Sequence, residues 1–375
     1  MYIKKCKKGI LGYRIFSRAY FHLPFLTVYL HMLGYSIVLI SFIMAVYGMS
    51  ICIYSIIEKK INKIECIPEK CFLICSEVVK IIGLLIFVLW KGKFIALIIG
   101  QVFLGVGYGI AAGKDTLLIK KYIKDVDFQA KSNSYMFLSV LCAGLAGSIL
   151  FNIKSIYPFV ASLFSSVIAI LFCVELPYQN DGAQVNKSFK IKNPLLIGEK
   201  RSVLRYSFLR AIILTLFSGF LPIYFWKNLS LPVFRFILIL SAYTISGRIS
   251  SQYIVKVFQK KGMETGRALD VLLLCSLLLF YSKQTYLPTI LLGIVSGMVR
   301  PVCINRIGQE TISSAIEKME LYYSVINLIL LLVGGVLYQY FSFAAVLLFL
   351  VIVWLIYMLL SVMVLDRHTQ IEISY

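Results

Sequence analysis

Long apolar runs alternate with short polar segments along the whole chain. Most runs are close to the ~20 residues that an α-helix needs to cross the hydrocarbon core of a bilayer. Because lipid offers no hydrogen-bond partners, a segment inside it must satisfy its own backbone, which favours helices. The pattern predicts twelve membrane spans, at residues 15–33, 36–57, 72–90, 94–113, 134–152, 156–175, 207–226, 234–255, 268–282, 285–304, 320–339 and 342–364.

The longest polar interruption lies between the sixth and seventh runs and divides the chain into equal sets. We predict an N-terminal six-helix bundle at 1–176, a cytoplasmic linker at 177–206 and a C-terminal six-helix bundle at 207–375. The predicted fold class is therefore an all-α membrane protein with twelve transmembrane helices. A parallel repeat of two six-helix halves is typical of one large transporter class.

Composition supports a membrane chain: 60% of the residues are hydrophobic and 15% are charged, whereas soluble domains have about half and a quarter. Of the 38 Lys and Arg residues, 32 lie on alternate polar segments and six on the others. Basic loops stay in the cytoplasm, so we predict a multi-pass protein of the plasma membrane with both termini cytoplasmic. The net charge of +21 then matches anionic lipid headgroups, and we expect no nucleic-acid partner.

The sequence offers few residues that could form a metal site or an enzyme active site. The chain has nine Cys and three His, with no zinc-like spacing between them, so we predict no metal site and no cofactor. An intramembrane enzyme would need clustered nucleophiles, metal ligands or paired carboxylates at depth, and these are lacking. We therefore expect that the protein is not an enzyme.

Three segments carry motifs. The opening LPFLTVYLHMLGYS, the stretch GYGIAAGKDTLLIKKYIKD at 107–125 and the stretch that begins SGMVRPVCIN at 296 resemble one prokaryotic branch of the major facilitator superfamily. The matching residues in the second and third segments are Asp115, Leu117, Leu118, Gly297, Arg300, Pro301, Ile304 and Asn305. In this family the first, fourth, seventh and tenth helices line the central cavity.

The resemblance implies a secondary transporter that works by alternating access and exports a small amphipathic compound, such as a drug, a peptide or a secondary metabolite. The resemblance also implies a small-molecule substrate, protons as a candidate coupling ion, and a monomeric protein. The family signature Gly-x-x-x-Asp-Arg-x-Gly-Arg-Lys is replaced here by a segment in which Glu58 stands where the acid belongs. Two alternatives therefore stay open: solute uptake, or a degenerate transporter that serves as an immunity or partner protein.

Polar and aromatic residues at membrane depth are the candidate site residues, because they are costly there and usually functional. The spacing of Arg14, Arg18 and His22 predicts one face of the first helix. The predicted substrate-cavity residues are His22, Gln101, Phe217, Tyr224 and Arg300; the predicted gate or coupling residues are Arg18, Glu58, Asp115, Arg248 and Asp270.

Structural roles are the alternatives for several of these residues. For His22 the alternative is a hydrogen-bonded structural position beside Pro24. For Arg14, Arg18 and Arg300 it is a side chain that reaches back to the headgroups. Phe217 and Tyr224 have the spacing of an ordinary packed or lipid-facing stripe. We predict an Arg248–Asp270 ion pair, which would serve as a gate latch or as a static interfacial pair.

Overall fold

The computed structural model describes residues 2–61, 69–119, 123, 126–176, 196–260, 265–308 and 311–372. Helices make up almost all of these residues, and no strand occurs among them. The predicted all-α architecture is confirmed for this part of the chain.

The first half begins with a helix that stops early. A short 3₁₀ turn, Leu23–Phe25, separates the first two α-helices, and a left-handed residue, Gly113, separates the fifth from the sixth. The helices are α1 (Tyr2–Ser17), α2 (Leu26–Met32), α3 (Ile37–Ile61), α4 (Glu69–Leu89), α5 (Phe94–Ala111), α6 (Lys114–Leu118), α7 (Val126–Ile153) and α8 (Tyr157–Val174).

The second half contains π-helical segments within its first two spans. The helices are α9 (Ile197–Leu214), α10 (Leu221–Ile223), α11 (Val233–Ile249), α12 (Val255–Lys260), α13 (Thr265–Tyr281), α14 (Tyr286–Ile304), α15 (Ile312–Tyr340) and α16 (Phe343–Glu372). The π-helical segments are Thr215–Phe220, Tyr224–Asn228 and Ser250–Ile254.

Ten helices in the described residues are long and apolar enough to cross a membrane. They match ten of the twelve predicted runs, with ends displaced by a few residues in most cases. The ninth run forms α13, a helix of 17 residues. The first run is not the single helix that we predicted: α1 ends at Ser17, and α2 begins at Leu26.

Helices α1 to α8 pack mainly on one another, as do helices α9 to α16. We refer to them as the first and second groups. Two long seams join the groups: α3 packs against α15, and α7 packs against α11. At one end of the molecule, the Ile37 N–H donates to Gln339 Oε1 across the first seam at 3.0 Å. The opposite end of the molecule carries the Lys- and Arg-rich polar segments, and we call it the basic end. There Ser134 Oγ donates to Gln252 Oε1 across the second seam at 3.2 Å.

The predicted linker is shorter than expected at its C-terminal side. Residues 177–195 lie outside the described residues, but α9 is already helical from Ile197. Its start is held by Glu199, whose carboxylate accepts the N–H groups of Leu196 at 2.9 Å and Gly308 at 2.8 Å. The hydroxyl of Thr311 donates to the same carboxylate at 2.5 Å. The predicted seventh span began only at residue 207 because residues 197–206 include several charged side chains.

Candidate functional site

The first membrane crossing is interrupted at residues 18–22, which lie in no helix. Pro24 follows this segment, as the second residue of the 3₁₀ turn. Proline has no N–H to donate to the carbonyl four residues earlier, and its ring clashes with that carbonyl. It also disfavours helical dihedrals at the residue before it. An α-helix running through this point is therefore locally disfavoured.

Side chains from three other helices satisfy the backbone groups that the break leaves free. The last carbonyls of the first helix, those of residues 15, 16 and 17, accept hydrogen bonds from Ser139 Oγ at 2.6 Å, Ser165 Oγ at 2.8 Å and Lys80 Nζ at 3.4 Å. Beyond the break, the His22 N–H donates to Ser162 Oγ at 3.4 Å. Such partners are required because an unsatisfied backbone group in an apolar interior is costly.

The break changes the predicted alignment of Arg14, Arg18 and His22. Arg14, on α1, is 1% exposed, and its guanidinium donates to Asp115 Oδ2 at 2.8 Å and to Ser132 Oγ at 2.6 Å. Arg18 and His22 lie beyond the last helical residue and face a central cavity instead. The prediction that all three share one helix face is wrong, because the helix ends between Arg14 and Arg18.

The central cavity has a volume of about 250 Å³ and lies between the two groups of helices. Aromatic side chains form much of its wall, and three cationic side chains face it: Arg18, Lys80 and Arg210. No Asp or Glu lies among its lining residues in the described part of the chain. The aromatic lining residues are Tyr20, Tyr47, Tyr108, Phe137, Phe217, Tyr243 and Tyr323.

Two of the three cations have carboxylate partners immediately behind the wall. Lys80 Nζ lies 2.5 Å from Glu77 Oε1, and Arg210 lies 2.7 Å from Glu320 Oε1. Arg210 also donates to the hydroxyl oxygen of Tyr108. The spacing of Glu77 and Lys80, three residues apart on one helix, is that of an ordinary local pair. The Arg210–Glu320 pair joins α9 to α15 and has no such local signal.

The third cation, Arg18, has a different environment. Its guanidinium carbon lies 4.9 Å from the centroid of the Tyr108 ring, which is a cation–π distance. Within the described residues it makes no ion pair with a carboxylate. It was predicted as a gate residue; the structure places it in the cavity wall.

Three predicted cavity residues do line the cavity: His22, Gln101 and Phe217. His22 Nδ1 lies 2.8 Å from Ser162 Oγ, so one ring nitrogen is already used in the protein. Gln101 is 2% exposed, and its Nε2 has no hydrogen-bond partner. Phe217 stacks on Tyr243 with ring centroids 4.0 Å apart. Their contact with a substrate stays a prediction.

Tyr224 was predicted to share the stripe of Phe217 but lies elsewhere. Its ring stacks on Phe343 at 4.1 Å, away from the cavity lining. Phe217 lies within the π-helical segment Thr215–Phe220, and Tyr224 begins the next one, Tyr224–Asn228. A π-turn contains an extra residue compared with an α-turn, so the α-helical spacing no longer keeps these positions on one face.

Arg300 lines a smaller pocket of about 160 Å³ that shares Arg210 with the central cavity. Its guanidinium donates to Thr116 Oγ1 at 2.6 Å and lies 3.6 Å from Asp115 Oδ1. Since Asp115 also binds Arg14, this carboxylate joins the second group of helices to the first at the basic end. The role of Asp115 as a gate residue stays a prediction.

The remaining gate candidates lie apart from the cavity. Glu58 pairs with Lys114 at 2.7 Å. The predicted Arg248–Asp270 pair is wrong: Asp270 binds Arg205 at 2.9 Å instead. This follows from packing, because α13 lies against α9, α14 and α16, which presents Asp270 to α9.

No family model and no curated protein sequence matches the chain. Solved structures do match over almost the full length. A bacterial homologue of the iron transporter ferroportin, in an outward-facing state with soaked iron, has a TM-score of 0.67 at 17% identity, with 98% of this chain and 99% of that chain covered.

Two further solved structures are similar. The nucleoside transporter NupG has a TM-score of 0.66 at 15% identity, and 99% of each chain is covered. The human organic anion transporter MFSD10 has a TM-score of 0.66 at 11% identity, with 96% of this chain and 99% of that chain covered. At such identities these likenesses establish the fold, and the substrates in these names belong to those proteins.

Proposed function

We propose that this chain, which has the fold of the major facilitator superfamily transporters, is a secondary transporter of a small amphipathic compound. Twelve crossings in two six-helix bundles, with both termini on the cytoplasmic side of the plasma membrane, complete the proposal. The observation that carries it is the cavity between the two groups of helices, lined by the broken first crossing.

Contacts between the groups lie at both ends of the molecule, which fits alternating access. Arg300 and Asp115 meet at the basic end, and Ile37 and Gln339 at the opposite end. Rocking one group against the other would open one end while the other stays closed. A substrate shifts this equilibrium only if its affinity differs between the two states.

The break at residues 18–22 supports a binding site at this depth. In transporters, discontinuous helices commonly border the substrate, because irregular backbone is tolerated where it lines a cavity. The aromatic wall suits the apolar part of an amphipathic compound, and the cations and amides suit its polar part.

We propose export as the direction, and the test compares cells with and without the gene by mass spectrometry of their small-molecule content. Export predicts that the substrate accumulates inside cells that lack the protein. A lower internal level in those cells indicates uptake instead. Identical contents, together with no transport by the purified protein in proteoliposomes, would support a degenerate transporter.

A further inference from the structure

We infer that the central cavity binds an organic anion, with the anionic group at Arg18 and an aromatic or other flat apolar body against the tyrosines. This inference rests on the proposed function, because it names the class of compound that the transporter would carry. It depends on the charges of the cavity wall, on hydrogen-bond donors of Arg18 and Gln101 that have no partner in the protein, and on the volume of the cavity.

The wall has an excess of positive charge. Lys80 is balanced by Glu77, and Arg210 is balanced by Glu320. Arg18 has no such partner within the described residues, and no carboxylate lines the cavity there. An unbalanced charge in a water-poor cavity is unfavourable, and a bound anion would relieve it.

Arg18 is held so that its hydrogen-bond donors stay available. The guanidinium lies over the ring face of Tyr108. A ring contact of this kind does not use up the five N–H donors of the guanidinium in conventional hydrogen bonds. No side-chain hydrogen bond from Arg18 to another described residue occurs, so a carboxylate or phosphate could accept two parallel bonds there.

A second hydrogen-bond donor, on Gln101, also favours an anionic ligand. The Nε2 of Gln101 is buried at the cavity wall without a partner, although buried polar groups in native proteins are almost always hydrogen-bonded. An amide nitrogen requires an acceptor. The free polar atoms of Arg18 and Gln101 therefore both fit a ligand that is rich in acceptors.

The rest of the wall limits the size and shape of the ligand. The central cavity of about 250 Å³ adjoins the pocket of about 160 Å³ and shares lining residues with it, so the space open to a ligand lies near the lower end of the ~300–1,000 Å³ of sites for drug-sized molecules. The stacked rings of Phe217 and Tyr243 offer one flat apolar surface. An aromatic carboxylate fits these limits, whereas an organic cation would be repelled by the unbalanced positive charge of Arg18.

The test uses the purified full-length protein in detergent and a series of probes with one shape: naphthoate, naphthamide and naphthylmethylammonium. A ligand that prefers the folded state raises its melting temperature. We expect naphthoate to give a concentration-dependent rise, and the uncharged amide and the cation to give little or none. Inorganic phosphate serves as a fourth probe.

Variants test the role of Arg18. Arg18→Gln should weaken naphthoate binding by about ten- to a hundredfold, the value of one charge-assisted pair, and Arg18→Lys should restore part of it. Lys91→Gln, which removes an exposed cation outside the cavity, should bind like the parent. Because Arg18 leaves no buried carboxylate behind, its removal should not impair folding.

Equal shifts with the amide or the ammonium probe, unchanged naphthoate binding in Arg18→Gln, or no naphthoate shift at millimolar concentration would each overturn the inference. If inorganic phosphate raised the melting temperature as much as naphthoate does, the inference that the ligand has an organic body would be wrong. Transport is measured separately, by naphthoate counterflow in proteoliposomes. Binding without counterflow contradicts the proposed function alone, and counterflow of the amide without preference for the acid contradicts this inference alone.

Discussion

The break in the first crossing depends on close contact with α7, and Gly147 is the residue that allows it. A Cβ atom at this position would lie 2.5 Å from the carbonyl oxygen of Phe21 and 3.0 Å from a ring carbon of Phe25. Ordinary contacts begin near 3.4 Å, so Gly147→Ala requires a shift of about 0.9 Å at Phe21. The obstacle is backbone, which cannot rotate away.

The same helix offers a matched control, since a Cβ at Gly144 would meet nothing within 4 Å. Each alanine gains about 1 kcal/mol of helix propensity over glycine, and this gain cancels when the two variants are compared. The remaining difference is the clash at Gly147. Overpacking of this kind costs about 1–3 kcal/mol.

We therefore expect Gly144→Ala to be as stable as the parent protein or more stable, and Gly147→Ala to be less stable. The measurement is thermal unfolding of both variants in the same detergent. Gly147→Ala should also bind naphthoate more weakly, because Arg18 lies in the same non-helical segment as Phe21. Equal stability and equal binding in the two variants would refute the tight contact between α7 and the break.

Three further variants separate the contacts around the site. Asp115→Asn removes the carboxylate that Arg14 and Arg300 share, and breaking a buried pair typically costs about 3–5 kcal/mol; unfolding at the parent temperature would contradict a structural role. Ser165→Ala leaves the Phe16 carbonyl without its side-chain partner and should cost about 1 kcal/mol, whereas the same change at an exposed serine should be neutral in the same assay. Tyr224→Leu should leave naphthoate affinity unchanged, since Tyr224 stacks on Phe343 away from the cavity; a large loss of affinity would place it in the wall after all.

Sequence reasoning reached much of the fold because membrane insertion depends on local properties. A run of apolar residues predicts a helix without knowledge of its neighbours, and ten of the predicted runs are long apolar helices. The first run was the exception, although Pro24 was a signal within it. Hydropathy alone does not reveal a break, because the residues on both sides of it are apolar.

The site was less accessible from the sequence. Polarity or the family resemblance correctly placed three residues at the cavity: His22, Gln101 and Phe217. Tyr224 was predicted there as well but lies elsewhere, because π-helical turns alter the register of the helix. Asp270 was given the wrong partner because Arg205 lies 65 residues away in sequence. No spacing rule predicts which charges meet across such distances.

The amino-acid sequence by itself determined that this is a membrane protein, and it determined the positions of most of its membrane helices. Each such helix forms its backbone hydrogen bonds within itself, so it can be recognised without its neighbours. Only the tertiary structure decided that Glu320 neutralises Arg210. Glu77 and Glu320 balance Lys80 and Arg210, and within the described ranges Arg18 is the cavity cation that has no carboxylate partner. Lys80 and Glu77 belong to one helix, whereas Arg210 and Glu320 come from α9 and α15, so the net charge of the cavity wall depends on how the helices pack.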